Sequence, residues 1–303
     1  MNGSLRVMAI VLSWNGREHT LACLRSLRQV TYRPFSIVVV DNGSSDGSAD
    51  AVAAEHPDVA LVRLGENLGF AGGMNAGIRA AFADGADAVL LLNNDMEVEP
   101  GFVEPLVSAS EGDPSSAAAC AQILFAGEPP RIWYAGAPFN RRRGHNGRNV
   151  GYGQPPLPST VPPYPTDRAC GGAMLFTVDV SERVGLFDED LFAYAEDTDW
   201  SLRAQRAGLH SLVVPASVVR HAVSASSGGE SSPTSIYYSL RNSLVVAERW
   251  APLGAVPTGL RRLEAVAACA AQALLSGRRR DGLRAVRDAW RDFRRGRLGP
   301  RPG

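Results

Sequence analysis

Lysine is absent from the 303 residues: all 31 basic residues are arginine, a mark of codon usage rather than of function. Cysteine is scarce as well. Cys23, Cys120, Cys170 and Cys269 stand singly, with no CxxC pair and no histidine at zinc spacing, which argues against a disulfide framework and suits a reducing cytoplasm. No apolar run is long enough to span a bilayer, and no basic segment leads into an apolar one as in a secretory signal, so the chain is expected to be made and kept inside the cell. The turn after the first apolar run reads Ser13-Trp14-Asn15-Gly16-Arg17-Glu18 instead of GxGxxG, which removes a nicotinamide dehydrogenase from consideration. Net charge is zero, so the strongly basic balance of a nucleic-acid binder is missing too, and no nucleic-acid partner is expected.

What is present is an alternation of strand and helix. With 45% hydrophobic residues the chain can bury a sizeable core. Leu5 to Leu12 reads as a strand, Glu18 to Arg28 as a helix with Leu21, Leu24 and Leu27 at helical spacing, and Ile37 to Val40 as a second strand. Ser45-Asp46-Gly47 opens a helix over Ala49 to Glu55, Val59 to Leu64 is a third strand, Gly73 to Ala83 a helix and Ala88 to Leu92 a fourth strand. This βαβ rhythm predicts an α/β fold with a mostly parallel sheet and right-handed crossovers. Phe139 to Pro165, rich in Pro, Gly and Arg, reads as a long surface excursion suited to shaping an acceptor site. A buried stretch returns at Cys170 to Val178, a helix starts near Asp197, Leu209 to Val214 closes the sheet, Ser224 to Pro233 is a loop, and helices follow from Ser235.

The chemistry sits where apolar runs stop. Ala9 to Leu12 ends in Ser13-Trp14-Asn15, Ile37 to Val40 in Asp41-Asn42-Gly43, and Val89 to Leu92 in Asn93-Asn94-Asp95. Open parallel sheets bind ligands beyond the carboxyl ends of their strands, so these clusters are expected to face one ligand. Asp41 to Gly47 can address a base or ribose, or simply form a strand-to-helix turn. The glycines of Asn67 to Asn75 permit close backbone approach and direct a positive helix end at phosphate. Asp95 offers hard oxygen to Mg²⁺ or Mn²⁺ on a diphosphate. Tyr194-Ala195-Glu196-Asp197-Thr198-Asp199-Trp200 crowds carboxylates at a helix start, where amides and the dipole favour anions. Asp199 can pair with Arg203 at i, i+4, which leaves Asp197 or Glu196 to take a proton from an acceptor hydroxyl.

In this order and spacing Ser13-Trp14-Asn15, Val40 to Gly47, Asn67 to Gly77, Leu92 to Asp95, Cys170-Gly171-Gly172-Ala173 and Glu196 to Trp200 resemble the inverting family 2 glycosyltransferases, in their rhamnosyltransferase-like branch, over about Val7 to Asn242. The resemblance implies a GT-A fold with a helical C-terminal extension, a nucleotide-diphosphate sugar donor (dTDP- or UDP-linked) and direct displacement with inversion at the anomeric carbon. Carried over by position, Asp197 is the general base with Glu196 beside it, Asp41 recognises the nucleobase, Asn93 the ribose or a metal-bound water, and Asp95 and His221 hold Mg²⁺ or Mn²⁺. The donor site then comprises Ser13, Trp14, Asn15, Asp41, Gly43, Asn67, Gly72, Gly73, Asn75, Asn93, Asn94, Asp95, Gly172, Ala173 and Arg241. Asn93 stands where the family's DXD motif often has its first aspartate. His221 can equally be a solvent-facing loop residue, and Arg241 can approach the diphosphate or cap a helix. The acceptor is a hydroxyl of a lipid-linked glycan or a small metabolite, and a catalytically silent nucleotide-sugar-binding scaffold is the rival reading.

The transferase is expected over residues 1–234 and a basic extension over 235–303. Residues 251–303 carry 12 arginines against 4 acids. Leu283, Val286, Trp290 and Phe293 share one helical face with arginines on the others, so this last helix can rest on anionic lipid as a peripheral membrane contact, pack on its own domain, or join a homodimer.

Overall fold

The computed structural model describes residues 4–142, 144–222 and 232–302. Uninterrupted apolar runs become parallel strands because both of their faces are covered. β1 (Val7–Ser13), α1 (Arg17–Leu27), β2 (Phe35–Asp41), α2 (Ser48–Glu55), β3 (Ala60–Arg63), α3 (Gly69–Ala83) and β4 (Ala88–Asn93) follow one another as alternating strands and helices. Next come β5 (Met96–Val98), α4 (Val103–Gly112), β6 (Ser116–Phe125), β7 (Ile132–Tyr134), a ribbon of β8 (Phe139–Asn140) and β9 (His145–Asn146), β10 (Tyr164–Thr166) and β11 (Ala173–Thr177). α5 (Val178–Val184), a 3-10 turn (Glu189–Leu191), α6 (Glu196–Arg206) and β12 (His210–His221) complete the sheet layer. α7 (Pro233–Trp250), α8 (Ala255–Leu275) and α9 (Arg279–Arg294) finish the chain.

The main sheet runs β10-β12-β6-β11-β4-β1-β2-β3, with β5 on β12 and β7 on β6. β1 is parallel to β2 and β4, β2 to β3, and β12 to β6, whereas β11 is antiparallel to both β4 and β6. One edge of the sheet therefore collects the carboxyl ends of β1, β2, β4, β6 and β12 together with the amino end of β11. The three polar clusters expected at strand ends, after β1, β2 and β4, lie on that edge.

Several expectations change. α3 begins at Gly69, not Gly73, so Gly72, Gly73 and Asn75 lie inside a helix rather than in a phosphate loop. The glycines serve packing. A Cβ on Gly73 would stand 2.5 Å from Leu12 Cδ1, and one on Gly77 2.4 Å from Ile10 Cγ2, so α3 rests directly on β1. The closing strand runs past Val214 to His221, absorbing Pro215 in a register shift against β6, which removes the loop reading of His221. The excursion after Phe139 is not structureless, since it holds β8, β9 and β10. Of the expected loop from Ser224 to Pro233, residues 224–231 lie outside the described residues.

The large apolar core lies around the sheet, and a second cluster joins Ile236, Tyr237, Leu240 and Leu244 of α7 to Ala285, Val286 and Ala289 of α9, with Trp290 and Phe293 packed against it. Apart from Leu283, the apolar face of α9 is thus spent on its own neighbours. No helix among the described residues is long and apolar enough to cross a membrane. All four cysteines are free, and burial pushes the Cys120 thiol up to about 11 and that of Cys170 up to about 12, leaving both as inert packing groups.

Candidate active site

The polar edge is continuous from the second strand to the sixth helix. Ser13 pairs in register with Asp41 on one side, and its neighbour Leu12 with Asn93 on the other, so three strand ends stand side by side. Asp41 is 5% exposed; its Oδ2 accepts the Ser44 N–H at 3.3 Å, while its Oδ1 has no partner. A buried carboxylate oxygen with an open valence suits an N–H donor from a ligand. Ser13 is turned inward to the Thr20 hydroxyl at 2.8 Å. Trp14 stands at the rim, 40% exposed. Asn15, at φ +50°, accepts the Ser45 N–H at 2.8 Å and donates its own N–H to Ser44 Oγ at 3.0 Å, tying the first turn to the second.

Asn67 is structural. Its Oδ1 accepts from Asn42 Nδ2 at 3.0 Å and from the Gly69 N–H at 2.8 Å, and Asn42 Oδ1 accepts the Leu68 N–H at 3.0 Å, so two amide side chains fasten the start of α3 to the end of β2. Gly43, at φ +73°, lies under this clasp, where a Cβ would come 2.7 Å from the carbonyl carbon of Glu66. Asn75 faces away from the strand ends and exchanges hydrogen bonds with the Phe187 backbone. Gly72 sits against Leu68.

At the end of β4, the Asn93 N–H donates to the Gly172 carbonyl at 3.1 Å, and a Cβ on Gly172 would stand 3.3 Å from the Asn93 amide, so β11 hands its glycine turn to the same edge. Ala173 follows as the first residue of β11, opposite Leu92. Asn94 is braced inward, donating to Thr20 Oγ1 at 2.9 Å. Asp95, 7% exposed, meets His221 Nε2 through Oδ2 at 3.2 Å, because β5 pairs with the end of β12 and sets His221 opposite Met96. Trp133 stacks edge-on against the His221 ring at 4.7 Å. Asp95 Oδ1 and His221 Nδ1 are both buried without partners. Asp95 Oδ2 and His221 Nε2, 3.2 Å apart, face each other at a spacing at which one carboxylate and one imidazole can share a divalent ion, and among the described residues no third His, Cys, Asp or Glu joins them.

Across the glycine turn stands Asp197. Its Oδ2 lies 3.5 Å from the Gly171 N–H and 3.3 Å from Arg168 Nη1, while its Oδ1 accepts from Thr198 Oγ1 at 3.2 Å. Arg168 is itself aimed by Asn149, whose Oδ1 accepts from Nη2 at 2.7 Å. Spacing gave no hint of Arg168, which sits 29 residues from its acid. Asp199 is committed elsewhere, as expected: 1% exposed, it accepts from Arg203, Arg249 and Trp250 at 2.8 to 2.9 Å. Glu196 is buried with an unpartnered Oε2, and burial together with the neighbouring charge of Asp197 pushes its carboxyl up to about 8. Glu196 is therefore mostly the neutral acid at neutral pH.

The backbone ahead of α6 is strained: Phe192, Tyr194 and Ala195 all lie at positive φ, between +63° and +69°. Asn242, fully buried on α7, holds this turn by donating to the carbonyls of Leu191, Ala193 and Tyr194 at 2.7 to 2.8 Å. Arg241 works beside it. Its guanidinium is 0% exposed, donates to the carbonyls of Leu191 at 3.1 Å and Gly299 at 2.7 Å, and stacks on Tyr237 and Tyr238. It supports the turn from behind.

Residues 8–176 match the sequence profile of Glycosyl transferase family 2. The chain belongs to that family. This family 2 glycosyltransferase is 29% identical over 240 residues to an N-acetylglucosaminyl-diphospho-decaprenol L-rhamnosyltransferase of Mycobacterium tuberculosis, covering 72% of this chain and 76% of the relative. It is 24% identical over 254 residues to a dTDP-rhamnosyl transferase of Shigella flexneri, covering 80% of each. Among solved structures it resembles GalNAc-T7 with UDP, GalNAc and Mn²⁺, at TM-score 0.61 and 18% identity, covering 80% of this chain but only 48% of that one. It also resembles the mannosyltransferase PcManGT of Pyrobaculum calidifontis in complex with GDP-Man and Mn²⁺, at TM-score 0.56 and 18% identity, covering 96% and 88%. The fold is that of the GT-A glycosyltransferases.

Proposed function

We propose that this glycosyltransferase moves a rhamnose-type sugar from a dTDP- or UDP-linked donor to an acceptor hydroxyl, with inversion at the anomeric carbon. The observation that supports it most is the unbroken edge from Asp41 through Ser13, Asn93 and Gly172 to Gly171 and Asp197. Asp41 would receive the base, Asn93 the ribose, and Asp95 with His221 a divalent ion. Such an ion, when bound, neutralises charge developing on the departing diphosphate. Asp197 takes the proton of the acceptor hydroxyl as its oxygen bonds to the anomeric carbon; the bond from that carbon to the phosphate oxygen breaks and its electron pair leaves on the nucleoside diphosphate. Arg168 and the Gly171 amide hydrogen-bond the carboxylate and fix its direction. The names of the rhamnosyltransferase relatives favour dTDP-rhamnose, and the M. tuberculosis relative's name favours a lipid-linked acceptor bearing a diphosphate.

The test combines protein, Mn²⁺, dTDP-rhamnose and a decaprenyl- or shorter prenyl-diphosphate-linked N-acetylglucosamine, with release of nucleoside diphosphate as readout. Wild type is expected to turn over with an inverted product, and Asp197→Asn to lose roughly three orders of magnitude in kcat while binding donor normally. A wild-type protein that binds nucleotide sugars and transfers none, whatever the acceptor, would establish the scaffold reading instead.

A further inference from the structure

α8 turns its apolar side outward. Leu260, Leu263 and Leu274 are 60%, 65% and 49% exposed, and Leu275 at the helix end is 89% exposed. On the helical period these leucines share one stripe with the exposed Ala267 and Ala271, with Glu264 as the stripe's single acid. Leu253 before the helix and Leu283 after the turn, 39% and 40% exposed, prolong it. The corner between α8 and α9 carries Arg278, Arg279 and Arg280, all exposed and, among the described residues, in no ion pair. α9, by contrast, buries Val286 and Ala289 against α7, so the helix whose sequence looked most suited to a surface is the covered one.

Single exposed leucines need no explanation, but a stripe along one helix ending in free guanidiniums marks a covered face. Its partner must be apolar in the middle and anionic beside it. A second copy paired through the same face would set a single acid, Glu264, against the three arginines. We propose that α8 lies in the interface of an anionic lipid bilayer, its leucines at the acyl boundary and Arg278 to Arg280 on headgroup phosphates. The placement goes beyond the proposed reaction and needs neither donor nor acceptor.

The full chain is sedimented with phosphatidylglycerol–phosphatidylcholine vesicles and, separately, with phosphatidylcholine alone. Binding to the anionic vesicles is expected, weakened by salt and by about tenfold or more in Leu260→Ser/Leu263→Ser/Leu274→Ser and in Arg278→Gln/Arg279→Gln/Arg280→Gln. Because all six side chains are exposed, both triple variants are expected to melt like wild type, and a variant that does not is replaced by Leu263→Ser or Arg279→Gln alone. Binding that ignores charge, binding that ignores the leucines, or no vesicle binding at all would overturn the placement. Loss of a concentration-dependent dimer in the leucine variant without vesicle binding would assign the face to a second copy.

Discussion

The two ends of the polar edge are built by different means. At the proposed donor end, Ser13, Asp41 and Asn93 stand together because parallel strands β1, β2 and β4 end at one level, and amide side chains of Asn15, Asn42 and Asn67 tie the turns beyond them to one another. At the acceptor side, Asp197 follows three non-glycine residues at positive φ, held by Asn242 from about fifty residues further along the chain. The first arrangement follows from strand register, with Asn15 its one non-glycine residue at positive φ. The second stores strain that only tertiary contacts sustain, so the acceptor side is expected to fail first when a distant residue changes.

The sharpest way to break that contrast is at the proposed metal pair, Asp95 and His221. Asp95→Asn and His221→Ala are each expected to weaken Mn²⁺ binding in the presence of nucleoside diphosphate by about a hundredfold, measured by titration calorimetry, with little effect on the position of Asp197. Unchanged affinity in both variants would mean that the ion is held by other groups. On the acceptor side, Asn242→Ala removes three donated hydrogen bonds from one buried turn. It is expected to cost about 2 kcal/mol in urea unfolding and to lower kcat while leaving nucleotide affinity intact, because Asp41 and Asp95 do not lean on that turn. A loss of nucleotide binding equal to the loss of kcat would show that the two sides are not separable.

Legibility follows the same division. Strand ends were readable because an apolar run stopped by Asp or Asn fixes both a strand and the position of its last side chain. The glycines of Asn67 to Asn75 read as admitting a ligand, but a missing Cβ does not say what fills the space; at Gly73 it is the Leu12 side chain. Arg168 was invisible because no short spacing links it to Asp197, and the strained turn was invisible because alanine, tyrosine and phenylalanine give no sign of positive φ. Amphipathic period located α9 yet could not tell which helix would cover which, a matter of tertiary packing alone.

The finest contrast lies between adjacent acids. Glu196 is buried with its carboxyl raised to about 8, burial being the larger cause and the Asp197 charge the next, so the folded chain keeps a proton there that the unfolded chain releases near the ordinary glutamate value. The sign follows from proton counting. Stability from this group is complete below the ordinary glutamate value and is lost as pH rises through about 8, by at most about 1.4 kcal/mol for each pH unit. Glu196→Gln keeps the shape and abolishes the titration, so its melting temperature is expected to fall less than that of wild type between about pH 6 and 8. If both proteins show the same slope, Glu196 is ionised in the fold and the reading of a buried neutral acid beside Asp197 fails.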